Sequence, residues 1–71
     1  MNNHRWVIYE HPEDYPDKYV ARRFVDGEPT DTCIVNASVW FIRVVIAHNY
    51  PGFFRVSPSV NDPPWVYEVW L

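Results

Sequence analysis

Cysteine is almost missing from this chain. Cys33 stands alone, so no disulfide can form within it. Small domains without disulfides often rely on metal or on oligomerisation. A single thiol fits a reducing compartment, and a cytoplasmic location is expected. Glycine is just as scarce. Gly27 and Gly52 are the only two, which excludes a glycine-rich phosphate loop. No apolar run approaches the roughly 18 residues that a membrane-spanning helix needs. No charged segment leads into a long apolar stretch at the start, so neither a signal peptide nor a membrane partner is expected. A large excess of one charge is also absent. The net charge of −3 argues against a general nucleic-acid coat and against a strongly acidic DNA mimic.

Catalytic equipment is thin as well. His11, Glu13, Asp14 and Asp17 are the densest set of ligand-type residues. They fall in a proline-rich turn, where acids commonly cap backbone groups, so no metal and no cofactor are expected. Cys33 has only the distant His48 to imitate a Cys/His pair, and it reads as a buried structural thiol. Ser38, Ser57 and Ser59 lie in no nucleophile-elbow context. Asn36-Ala37-Ser38 matches a glycosylation sequon, but without a secretory signal the match is fortuitous. The expectation is a protein that is not an enzyme.

What the chain does have is size for one domain, residues 1–71, and many rings. It begins at Met1 and ends in the apolar run 66–71, and it reads as a whole gene product. Aromatic residues make up 18% of the chain, four of them tryptophan. Either large rings fill a small core, or some form an exposed patch. Most acids, from Glu10 to Asp31, lie in the first half; only Asp62 and Glu68 lie beyond.

Residues 5–11 (RWVIYEH) and 19–25 (YVARRFV) read as antiparallel strands, separated by the polar turn 12–17. Asp26-Gly27 is a strong turn signal, and 32–35 a short extended piece. Residues 37–48 (ASVWFIRVVIAH) carry no Gly or Pro, with Asn36 as N-cap and Pro51-Gly52 as a stop. Their Val and Ile content favours strand, but their length favours helix, and helix is expected. Val39, Ile42, Val45 and Ile46 would share its core face, leaving Trp40, Phe41 and Val44 elsewhere. A helix so apolar all round needs a second cover: loops, termini or another chain. Residues 53–57 and 65–71 complete the strands, joined by the turn-rich link 58–64 with its tightest part from Asn61 to Pro64. The fold class expected is α+β: a small ββαββ domain with a mainly antiparallel sheet packed on one helix. In the last strand Trp65, Tyr67, Val69 and Leu71 form the uniformly apolar face, expected to meet the helix.

Arg22, Arg23 and Arg55, with Trp70, Glu68 and possible ring neighbours such as Tyr9, form the candidate site on the solvated sheet face. Trp40 marks a second candidate on the helix. Arginine beside flat rings suits a protein interface, and it also suits a nucleotide or single-stranded nucleic acid. Ordinary solvated arginines paired with Glu10 or Glu68 remain the plain alternative.

At the opening, an aromatic-aliphatic strand leads into His11-Pro12-Glu13-Asp14-Tyr15-Pro16 and a strand containing Arg22-Arg23-Phe24. The chain closes on Asp62-Pro63-Pro64-Trp65-Val66-Tyr67-Glu68-Val69-Trp70. Together these patterns resemble small uncharacterised proteins encoded by bacteriophages and prophages. The resemblance covers both ends of the chain and transfers no active-site residues. It implies an inhibitor or adaptor that binds a host protein or defence system stoichiometrically, in the host bacterial cytoplasm. A nucleotide or nucleic-acid binder and a structural homo-oligomer, such as a homodimer, are the alternatives.

Overall fold

The computed structural model describes residues 3–58 and 62–71. The expected α+β architecture is present: one antiparallel sheet with one helix across it. Its strands are β1 (His4–Glu10), β2 (Tyr19–Val25), β3 (Glu28–Asn36), β4 (Arg55–Val56) and β5 (Val66–Trp70). The helix α1 (Val39–Asn49) lies between β3 and β4 in the chain. The sheet order is β3-β2-β1-β5-β4. The short extended piece expected at 32–35 is lengthened into the nine-residue edge strand β3. Asp26 and Gly27 close the β2–β3 hairpin with φ of 53° and 81°. Positive φ at both central residues matches the twist of the flanking strands.

The helix starts two residues later than expected. Ser38, not Asn36, is the N-cap, and its Oγ accepts from the Phe41 N–H. Asn36 sits two residues earlier and accepts the Ser38 N–H on its own side chain. Tyr50 closes the other end, its N–H donating to the Ile46 carbonyl. Ile42 and Ile46 are fully buried, with Val39 packed beside them. They meet Trp6, Ile8, Ala21 and Trp70 from the sheet. Trp6 meets the Tyr50 ring at a tilt, with the ring centres 5.2 Å apart.

β1 is the central strand and buries Trp6, Val7 and Ile8 in succession, so both its faces carry buried side chains. Val7 joins Val66 and Val69 in a second cluster on the face away from the helix, flanked by Tyr9 and Phe24. This corrects the face expected for β5. Val69 points away from the helix, while Trp70 and Glu68 point toward it. The larger ring fills the main core, and Glu68 follows because alternate residues share a face. The β1–β5 pairing shifts register between Ile8 and Tyr9, which pair with Glu68 and Val66. Tyr67 is the extra residue of this bulge and lies on the helix side with Glu68, against Arg43.

Cys33 is a second correction. It is exposed rather than buried, because β3 is an edge strand and Cys33 pairs with Arg22 on the uncovered face. Ser59 and Asn61, singled out above, lie outside the described residues; after them, the Val66 N–H bonds the Pro63 carbonyl. None of the described helices is long and apolar enough to cross a membrane.

The core assignment makes a direct prediction. Ile46→Ala removes a side chain packed on every side and destabilises the fold by about 2–4 kcal/mol in urea titrations. Trp40→Ala removes a larger ring from an exposed site and costs less than about 1 kcal/mol.

Candidate functional site

One arginine from β2 was expected to join Arg55 on a solvated face, and the structure puts Arg23, not Arg22, on the same side as Arg55. Arg22 and Arg23 are adjacent in β2 and therefore alternate. Arg22 is on the uncovered face, its Nη1 donating to the Thr30 carbonyl at 2.7 Å. Arg23 is on the helix side, over the Tyr50 ring at 5.4 Å and beside His4. Arg55 pairs in register with Trp70 and is also on the helix side, but at the opposite edge of the sheet. Trp70 and Glu68, expected on a solvated face, are both buried. Burial of an ionised carboxylate requires partners, and Glu68 has them. It accepts from Arg43 Nε at 3.2 Å and Nη2 at 2.6 Å, and from the Trp70 indole at 2.8 Å.

Arg43 is the residue at this site that the sequence reading did not single out as a candidate. The available signal was its isolation as the only ionised side chain in the helix. Its guanidinium binds Glu68 and lies 4.9 Å from the Trp40 ring centre. Hydrogen bonding to Glu68 raises the Arg43 pKa above its usual value, outweighing the opposite effect of burial. One side chain thus joins helix to sheet and steadies an exposed tryptophan.

Trp40 fulfils its expected position. It is 69% exposed, and its neighbours Phe41 and Val44 are 51% and 62% exposed. The spacing of Trp40 and Val44 places them one turn apart on the outer surface. Because Ile42 and Ile46 already satisfy the core, these three residues form an apolar strip that the fold does not use. Near it, Arg43, Arg55, Ser57, Tyr67 and Glu68 line an open cavity of about 430 Å³. This cavity brings together two arginines and a ring, although not the arginines first singled out. A further aromatic surface, around Trp65, lies at the end of the sheet where the β1–β2 turn folds over.

Among the described residues no group of three or more His, Cys, Asp or Glu side chains is arranged to hold a metal ion. Comparison of the chain with protein-family models, curated proteins and solved structures finds no match.

The ion pair yields the second prediction. Glu68→Ala leaves the Arg43 guanidinium and the Trp70 indole without their acceptor, and stability falls by about 3 kcal/mol or more in chemical denaturation. The double variant Arg43→Met with Glu68→Leu recovers most of that loss, because the apolar pair requires no compensation.

Proposed function

We propose that the chain is a small non-enzymatic protein-binding module, an inhibitor or adaptor that acts stoichiometrically on a host protein or defence system. The observation that carries this reading is the strip Trp40–Phe41–Val44. Three large apolar side chains stand outward while the core is complete without them. Exposed apolar surface of this kind is a hallmark of interaction sites, and tryptophan is the residue most enriched among binding hot spots. Arg43 adds a cation at the rim, held in place over Trp40. The assignment to phage biology rests on the resemblance of the two chain ends alone.

The test is a comparative pull-down from bacterial lysate. A specific partner captured by the wild-type protein is lost with Trp40→Ala and with Val44→Asp, and retained with Asp17→Asn in the distant turn. Capture that ignores the helix variants would count against the reading. Light scattering on the same samples distinguishes a second copy of the chain from a foreign partner.

The cavity at Arg43, Arg55 and Tyr67 favours a second reading, a nucleotide or single-stranded nucleic-acid binder. Guanidinium groups beside a flat ring can hold phosphate and stack a base. On this reading nucleotides or short oligonucleotides raise the melting temperature of the wild type and not of Arg55→Ala. No rise at millimolar ligand would sink it.

A further inference from the structure

Trp65 stands at the start of β5, 56% exposed, and its carbonyl accepts the Glu10 N–H at 3.0 Å. It is therefore anchored through its backbone while its ring remains outside. Two concavities of about 270 and 470 Å³ lie side by side and share Trp65 and Pro12 in their walls. The smaller has Tyr9 and Tyr15 as further rings, with Val20 and Arg22 alongside. The larger is flanked by His11 and Glu13. Trp65 and Pro12 are thus common to both depressions of a groove walled by rings and proline.

The wall is ordered by its own backbone. The Tyr15 N–H bonds the Pro12 carbonyl, the Lys18 N–H bonds the Tyr15 carbonyl, and the His11 N–H bonds the Lys18 carbonyl. Two successive turns, closed at the base, hold Pro12 and Tyr15 in position before any ligand arrives. Preorganisation of this kind reduces the entropy lost on binding. The rim carries two acids, Glu13 and Asp14, and the one arginine in the wall, Arg22, is already engaged with the Thr30 carbonyl.

We infer that this groove binds an extended, proline-containing peptide segment with basic flanking residues. Proline rings fit shallow depressions between aromatic side chains, and the polyproline II conformation loses little entropy because it is already extended. Its solvated carbonyls suit indole and phenol donors, which Trp65, Tyr9 and Tyr15 supply. The two rim acids select arginine or lysine on the flanks. The site lies apart from the Trp40 strip and goes beyond the reading based on it.

The test uses the full chain, isotopically labelled, titrated with a panel of short peptides that carry two prolines three residues apart. The flanks are basic, neutral or acidic, and matched controls replace the prolines with alanine. The expected result is a shift of the Trp65 indole and the 12–20 backbone signals with the basic-flanked peptides. Affinity falls roughly tenfold or more with Trp65→Ala and with Tyr15→Ala, as expected for exposed hot-spot rings. Trp40→Ala leaves the titration unchanged, so the groove and the helix strip stand or fall separately. No shift from any peptide at millimolar concentration overturns the inference. Equal response to the alanine controls, equal response to acidic flanks, or shifts confined to α1 overturn it too.

Discussion

The buried contact of Arg43 with Glu68 sets the arrangement of everything around it. It is the one ion pair that joins helix to sheet among the described residues, and it stands in the wall of the open cavity beside the main core. Glu68 can be tolerated on the inner face of β5 only because Arg43 arrives from above and the Trp70 indole from beside it. That placement turns Trp70 inward with it. It also sends Val69 to the opposite face, where Val7 and Val66 receive it. A uniformly apolar alternative face of β5 was available in the chain and is not the one used.

The same guanidinium reaches outward. Its plane lies near Trp40 on one side and within 6.0 Å of the Tyr67 ring centre on another. An arginine that is half structural and half surface thereby ties the stability of the domain to the order of its exposed rings. This division also explains why rings are plentiful in so small a chain. Trp6 and Trp70 fill the core; Trp40 and Trp65 do not contribute to it. The first pair is packed in the fold, and the second stands exposed to solvent.

The elements were largely legible from local pattern. β2 appears at its expected limits because β-branched and aromatic residues run unbroken between two turn signals. The helix, its core face and its unused face were readable from spacing and from the absence of Gly and Pro in 37–48. β3 was only partly legible. Pro29 and the polar residues around it disguise a strand, which an edge position tolerates because one side needs no partner. The candidate site was less legible. Trp40 emerged from an excess of apolar residues on one helix. Arg43 did not, since a single arginine in a helix carries no pattern. The Trp65 groove depends on a turn, a strand end and β2 meeting in space, and nothing in their separation along the chain announces it.

By itself, the sequence determined the fold class, the position of the helix and, with one cysteine and two glycines, the exclusion of an intrachain disulfide and of a glycine-rich loop. These follow from residue type and short-range spacing, which act within a few positions along the chain. Only the tertiary structure decided which face of β5 turns inward and which arginine of β2 lies on the helix side. The physical reason is that alternation fixes which residues share a face but not which face is buried. That choice belongs to long-range partners: the Arg43 guanidinium waiting for Glu68, and the space between α1 and β1 that Trp70 fills.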